Sequence, residues 1–534
     1  MIDIKILISN KTKWNFIKNI NSSIFYNSTK NFANDFMKKN FKLPSLNLLK
    51  DFLNNYVGFN NFIYEDSNYI ICAVDKLNSD NIFYSIKNKI LYLSNDIKEI
   101  LKKNKYEFNI DETSYQDTKI TGYVLGKKTI IEEINTLRAG ELLFIDKKLS
   151  DIKVDQYFQF YSPCTAFKKR SDLIEELKVI EDKIFDDLIK RNKDKIILLA
   201  LSGGLDSRYV LTSLLNRNVK NIVTYSYGHK KNFDSFVSQK ISKKLNVKWK
   251  FYETSNESYK KIYNSNLRDD YWNFADQGTM APNLYFFEAV KKISEEYDVN
   301  KITIVNGQAG DFITGDHLPN FENLEYLKGD DLAQLLFNKH FQLNMKINQN
   351  KNLIQKYKIQ ILDQLKLNKD EYYHFKEAAK YFELWEWKER QTKRVINMQK
   401  VYDFFNINWE LPLWHKEYIN FWIDQSYEVK FGRNLFIQYL VETDKYNIFK
   451  YKEVGLPKWL TSNTHITFIG KIIKILTLGT GSNYYYNFMN LFCKYGFMYS
   501  PYSFKNYLMK FNEYKDPLAF LNEDWKNNYQ RILK

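Results

Sequence analysis

Cysteine is nearly absent: Cys72, Cys164 and Cys493 stand far apart in a chain of 534 residues. No CxxC pair forms, which excludes a disulfide framework and a cysteine-based zinc site and fits a reducing compartment. The 6 histidines are equally scattered, with no HxxxH or HExxH pattern to suggest a histidine metal centre. Proline is scarce at 8 residues, against 40 Tyr and 40 Phe. Together with abundant Lys, Asn and Ile, this matches an AT-rich coding bias and says little about function. No apolar run approaches the ~18 residues needed to span a bilayer. The opening Met1-Ile2-Asp3-Ile4-Lys5 turns polar by Ser9-Asn10-Lys11, unlike a signal peptide, so a cytoplasmic protein is expected.

Acidic residues are the minority, 63 against 79 basic ones, for a net charge of +16. The excess is mostly dispersed lysine, with short clusters such as Lys168-Lys169-Arg170 and no RNP, KH or zinc-finger pattern beside it. A solvated lysine-rich surface explains this better than a nucleic-acid partner. The length calls for two or three domains.

What is present is concentrated at Ser202-Gly203-Gly204-Leu205-Asp206-Ser207, directly after the apolar run Ile196–Leu201. A buried strand ending in a Ser/Gly/Gly turn and opening into a helix with Tyr209, Val210, Leu211, Leu214 and Leu215 is suited to hold phosphate. Glycines admit the anion close to backbone N–H groups, hydroxyls add donors, and the helix N-terminus adds a positive dipole end. Asp206 would repel bare phosphate and makes sense beside a magnesium ion. Gly122 to Lys128 has the wrong spacing for a Walker A loop and lacks its final Ser or Thr. The SGGLDS pattern resembles the loop of the ATP pyrophosphatase group, whose members split ATP between the α- and β-phosphates.

Short strands with alternating or β-branched residues occupy Asn61 to Phe160, including Tyr69–Val74, Ile82–Ile86 and Ile90–Ser94. A short helix is expected from Asp96 to Leu101. Further segments follow at Gly122–Gly126, Thr129–Ile134 and Leu137–Leu143. This order, with "SNDIKEIL" and "GYVLGKKTIIEEINTLRAGELLFI", resembles the glutaminase-type domain of asparagine synthetases. That family uses a cysteine after the initiator methionine to hydrolyse glutamine. Position 2 is Ile2, and no cysteine precedes Cys72, which sits mid-strand among apolar neighbours. The resemblance therefore implies a retained fold with a lost glutaminase reaction.

From Lys168 to Lys450, strands alternate with amphipathic helices, the pattern of a parallel sheet covered on both faces. A helix is expected from Leu173 to Ile189 and another from Phe233 to Leu245. Strands are expected at Asn221–Gly228, Val247–Glu253 and Ile302–Val305. Ligands bind at strand carboxyl ends in such sheets, so Ser202 and Tyr227 are expected to face one nucleotide. Asn306-Gly307-Gln308-Ala309-Gly310-Asp311 resembles the synthetases' second, GxGxDE-type loop, with Phe312 in place of the usual acid. The resemblance implies that Asp311 shares magnesium with Asp206. Glu389-Arg390-Gln391-Thr392-Lys393-Arg394, ahead of Val401–Phe405 and Trp409–Trp414, resembles the segment that forms the acceptor side of the family's cleft, with Pro412-Leu413-Trp414 matching its corner. The family's acid four residues before this proline falls on Asn408, leaving Asp403 and Glu410 as candidates to replace it. Lys430 falls where the family places a lysine for the departing pyrophosphate.

The fold class expected is α/β: a layered β-rich, Ntn-hydrolase-like domain over 1–160, a doubly wound ATP-binding domain over 165–455, and a helical aromatic extension over 456–534. Within the extension, Phe468, Ile469, Ile472, Ile473 and Leu476 form an amphipathic stretch that either packs on the core or touches a membrane. The nucleotide site is expected at Leu201, Ser202, Gly203, Gly204, Asp206, Ser207, Tyr227, Gly307 and Gly310. Magnesium is expected at Asp206 and Asp311, and catalysis at Lys430, Asp403 and Glu410. The resemblance implies ATP-dependent amide formation through an acyl-adenylate, with ATP and Mg2+ required. The acceptor would be a small-molecule or sugar carboxylate, and the donor ammonia or an amine, with a separate glutaminase as one source. Intramolecular amide formation as in β-lactam synthetases and lasso-peptide cyclases, a tRNA-modifying ATP pyrophosphatase and a non-catalytic homologue stay open.

Overall fold

A computed structural model describes residues 3–9, 13–28, 30–38, 46–104, 108–149, 151–163, 168–230, 232–321, 323–344, 350–450, 500–503, 506 and 518–533. Cys164, Cys493 and the amphipathic stretch Phe468–Leu476 lie outside these residues. The chain is a mixed α/β protein with several sheets, one of them parallel.

Among the described residues, ten strands build the N-terminal part: β1 (Asp3–Leu7), β2 (Asn15–Lys18), β3 (Ser22–Asn27), β4 (Asn61–Asp66), β5 (Tyr69–Ala73), β6 (Phe83–Lys87), β7 (Ile90–Ser94), β8 (Asn135–Thr136), β9 (Glu141–Asp146) and β10 (Asp151–Gln156). They form one sheet in the order β1-β7-β6-β8 and another in the order β10-β9-β5-β4-β3-β2. Period-two alternation explains the layering. Ile63, Ile70, Cys72, Leu143 and Ile145 point from the larger sheet to Leu91 and Leu93 of the smaller one. Their neighbours Phe62, Ile71, Ala73, Leu142 and Phe144 point the other way, to Phe32, Phe36, Leu49 and Leu53 on the helices Lys30–Lys38 and Leu46–Asn55. The smaller sheet's outer face is covered by Ile97, Ile100 and Leu101 of the helix Ile97–Asn104. The layers therefore run helix, sheet, sheet, helix.

The expected strands near Tyr69, Ile82 and Ile90 form as β5, β6 and β7. Gly122–Gly126 and Thr129–Ile134 are turns and isolated bridges instead. Gly122 (φ 94°) and Gly126 (φ 68°) hold left-handed backbone that no strand can continue.

The parallel sheet comprises β11 (Ile196–Ala200), β12 (Ile222–Gly228), β13 (Lys248–Glu253), β14 (Ile302–Val305) and, later in the chain, Asn408–Glu410. Between the last two lies a two-stranded antiparallel ribbon, β15 (Tyr326–Lys328) with β16 (Tyr372–His374), so Asn408–Glu410 is β17. The parallel order is β13-β12-β11-β14-β17. From β11 the chain first winds outward through β12 and β13, then returns to β14 on β11's other side. The carboxyl ends of β11 and β14 therefore flank the switch point, where a doubly wound sheet opens a crevice.

The two parts share a buried polar seam. Lys400 Nζ donates to Asp80 Oδ1 at 3.0 Å, and Asp80 also accepts from Trp14 and Asn27. Lys393 Nζ donates to the carbonyls of Val124 (2.7 Å) and Gly126 (2.8 Å). The helix Leu518–Leu533 packs across both: Asn522 bonds the carbonyls of Thr118 and Gly122 and the N–H of Ala281.

Candidate active site

Two loops meet at the switch point. The first leaves β11 and enters the helix Leu205–Asn216, whose N-cap Gly204 offers no side chain, so the positive helix end is left uncapped. The loop's own N–H groups are engaged within the protein: Ser202 N with Ser207 Oγ (3.1 Å), Gly203 N with Asp234 Oδ1 (2.9 Å), and Gly204 N with Ser202 Oγ (3.1 Å). Arg208, fully buried, braces the turn by donating to the carbonyls of Gly203 (3.0 Å) and Gly204 (3.2 Å). The loop is thus rigid before any ligand arrives.

The second loop leaves β14 as Asn306–Ala309, and Ala309 turns into a short helix at φ 65°. It packs directly on Asp206. A β-carbon at Gly307 would sit 2.8 Å from the Asp206 carbonyl carbon, and one at Gly310 would collide with its carboxylate. Only glycine permits this approach.

Between and beyond the loops lies a cavity of about 1300 Å³. Leu201, Ser202, Gly204, Asp206, Ser207, Tyr227, Gly307 and Asp311 line it, so eight expected residues from three strand ends converge. Gly203 and Gly310 pack behind this wall. The cavity lining includes the aromatic residues Tyr225, Tyr227, Tyr285, Phe286 and Tyr402. It is also rich in carboxamides: Asn306, Gln308, Gln391 and Gln399. Asn306 Nδ2 donates to Gln399 Oε1 (3.4 Å), Gln399 Nε2 to Gln308 Oε1, and Gln308 Nε2 to the Val395 carbonyl (3.1 Å). Gln391 is buried with its carbonyl oxygen unpaired. Arg390, Gln391 and Val395 reach this wall from Trp387–Val395, a widened π-helical run continuing the helix Phe375–Glu386. Such widenings re-aim side chains at functional sites.

Beneath the loops a charged chain runs inward. Arg433 forks onto both oxygens of Asp206, Nη1 at 3.3 Å and Nη2 closer, and its Nε donates to Thr314 Oγ1 at 2.8 Å. Asp311 Oδ2 meets His317 Nε2 at 3.2 Å, and His317 Nδ1 meets Glu386, which also accepts from Lys339 and Arg390, each at 3.2 Å. Burial raises the Asp206 carboxyl, and the Arg433 guanidinium acts against that rise. Burial also works to raise Asp311, but the hydrogen bond and charge of His317 bring it below its ordinary value. His317, despite burial, is held at about 9 by its two carboxylate partners. His340, packed beside Glu386, is pushed down to about 3 by burial and stays neutral.

A resident magnesium ion does not fit this corner. Both Asp206 oxygens are taken by Arg433 and one Asp311 oxygen by His317. Among the described residues no three His, Cys, Asp or Glu side chains gather where a metal could sit. No step below is routed through one.

The three residues expected to act in catalysis lie elsewhere. Lys430 is buried, ion-paired with Glu383 Oε1 at 2.5 Å, and sits over the Phe160 ring rather than on the cavity. Asp403 is half-buried near the interdomain seam and accepts from Trp409 Nε1 at 2.9 Å. Glu410 ends β17 facing away, bidentate with Arg191 at 2.9 and 2.8 Å. Position in a family pattern thus pointed to side chains that do not line this cavity. Arg433 lies three residues after Lys430, and His317 six after Asp311. Their only sequence signal was proximity to those two positions. Arg390 and Gln391 were marked only as part of the stretch Glu389–Arg394, because a π-helical turn shifts the facing residues off the 3.6 period.

No protein-family model matches the chain, and no curated protein matches it. Solved structures that match include the glutamine phosphoribosylpyrophosphate amidotransferase of B. subtilis complexed with ADP and GMP, at 8% identity and a TM-score of 0.14 over 54% of this chain. Another is described as the allosteric regulatory enzyme of purine biosynthesis, also at 8% and 0.14, over 60%. The chain spans 56% and 59% of their lengths. At such superposition neither bears on fold or chemistry. Among the described residues no helix is long and apolar enough to cross a membrane.

Proposed function

We propose that the chain is an asparagine-synthase-like, AMP-forming carbon–nitrogen ligase that activates a carboxylate with ATP. One observation carries the reading: the SGGLDS turn and the second glycine loop close on each other at the switch point of a parallel sheet, over a cavity of about 1300 Å³, a volume that suits a nucleotide and a second substrate. The reaction balances in two steps. A carboxylate oxygen attacks the α-phosphorus of ATP and pyrophosphate leaves. A nitrogen nucleophile then attacks the acyl carbon, AMP leaves, and the nitrogen's proton passes to solvent or to a basic group. The chain's part is placement and charge. The hydroxyls of Ser202 and Ser207 and the helix end behind Gly204 suit the phosphates, and the tyrosines of the lining suit a base and ribose.

The carboxamides of the lining suit an acceptor carrying hydroxyl groups, because carboxamides both donate and accept. Arg390, at the same wall, suits the acceptor's carboxylate. This favours a sugar carboxylate over an apolar acid. The N-terminal layers supply no thiolate to release ammonia: Cys72 is fully buried and burial pushes its thiol up. The nitrogen then comes from free ammonia, a partner or the substrate's own amine.

ATP–pyrophosphate exchange, measured over a panel of sugar acids and amino acids, tests the reading. Exchange dependent on one carboxylate is expected. Absence of ATP binding by calorimetry, together with no exchange over any acid, would overturn it.

A further inference from the structure

Two carboxylates meet where polyphosphate is proposed to bind, and elementary electrostatics requires a cation between them. The structure supplies it from the chain. The Arg433 guanidinium presents its fork to both Asp206 oxygens, a planar bidentate match that an ammonium could not make. Its third donor is tied to Thr314, and the Phe436 ring lies 4.6 Å from the guanidinium carbon. Arg433 is only 7% exposed. It reaches this place through two successive left-handed residues, Gly432 (φ 61°) and Arg433 itself (φ 62°). A non-glycine residue holds such a backbone only where its surroundings over-determine it. The preceding turn is clamped as well: a β-carbon at Gly315, which closes the second loop's helix, would sit 2.5 Å from the Lys430 carbonyl oxygen. Asp311 lies near enough to feel the same guanidinium, and His317 covers its other side.

We propose that Arg433, with His317 beside it, occupies the position between Asp206 and Asp311 that a divalent metal was expected to fill, making Arg433 a positioning residue that locks the two loops together. The assignment deepens the ATP reading but is tested without nucleotide, so the two fail separately. A metal entering this corner would have to strip Asp206 from a buried guanidinium and leave that charge unpaired.

Manganese(II) binding to the full chain, followed by electron paramagnetic resonance, reads this directly. The wild-type chain is expected to bind Mn2+ no differently from Asp206→Asn. Arg433→Met frees a carboxylate pair and should gain at least about tenfold in Mn2+ affinity, as ligand charge sets the affinity of such sites. Adding Asp206→Asn to it should abolish the gain. Arg433→Lys keeps the charge and should not gain. If Arg433→Met does not fold by circular dichroism, the wild-type against Asp206→Asn comparison decides. A wild-type Mn2+ site lost in Asp206→Asn, or an Arg433→Met chain that folds and gains nothing, would overturn the proposal.

Discussion

Buried charge is handled differently in the N-terminal layers and around the cavity. In the layers and their seam, buried carboxylates are matched by neighbouring donors. Asp75 accepts from Asn61 and Ser79, and Asp80 is saturated by Lys400, Trp14 and Asn27. Around the cavity the pairs run in a chain, Glu386 to His317 to Asp311, and end on a carboxylate still 46% exposed. A closed network stabilises and fixes an interface, whereas one that opens on a cavity can also act on a ligand. The comparison assigns the first half to structure and the second to chemistry, and it can be broken by mutation.

The largest effect is expected at the closed end. Lys400 and Asp80 are 6% and 4% exposed, so Lys400→Met leaves a buried carboxylate without its cation and should cost about 3–5 kcal/mol. Adding Asp80→Asn should recover much of it. Chemical denaturation checks both. A loss below about 1 kcal/mol would mean that the seam is solvated like a surface pair.

The open chain should instead make stability depend on pH. His317 sits at about 9 against an ordinary 6.5. A raised value means that the stabilisation is complete below about pH 6.5 and is lost as pH rises through 9, by at most about 3 kcal/mol. The same contacts depress Asp311 and Glu386, so their share is present above the usual carboxylate range and is lost in acid. These are views of one set of contacts and do not add. Thermal unfolding at pH 6 and 9.5 should show a drop in wild type that His317→Gln lacks. An equal drop in both would show that His317 is not the group titrating.

At the site itself, Asp206→Asn should lower ATP–pyrophosphate exchange by ~100-fold, the scale of misplacing the reacting groups by about an ångström. The carboxylate's hold on Arg433 weakens to a neutral hydrogen bond, and the two loops lose their common anchor. Exchange within a few-fold of wild type would place the chemistry away from this corner.

What was legible in the sequence follows from the range of each signal. Strand alternation and the strand–glycine–helix turn are local, so β5, β6, β7, β11, β12 and the SGGLDS loop could be read directly. The second loop was legible because Gly307, Gly310 and Asp311 repeat the logic of the first. What escaped depends on contacts distant in sequence. Arg433 was hidden among many basic residues, and its role exists only because two left-handed residues aim it at Asp206. Charge balance between two carboxylates could be read from Asp206 and Asp311, but the sequence carries no sign of whether metal or guanidinium supplies it. β17 escaped through its shortness, three residues whose pairing with β14 is decided by the fold.

The smallest effect is expected at Glu410. Its place two residues before Pro412 marked it as a substitute acid, yet its carboxylate is held by Arg191, which is 44% exposed, and by Asn192 at 3.2 Å. β17 is the edge strand of the parallel sheet, and its parallel register pairs Val305 with Glu410. The Glu410 side chain projects from that edge toward Arg191 and away from the crevice. An exposed ion pair contributes at most about 1 kcal/mol. Glu410→Gln should therefore lower the unfolding free energy by no more than that and leave exchange within about twofold, since the neutral side chain still accepts from Arg191. An exchange rate reduced by about tenfold or more at unchanged stability would put Glu410 at the reacting carboxylate. That outcome would require the acceptor to approach from the β17 edge rather than through the carboxamide wall, reversing the division between the structural and chemical faces of this sheet.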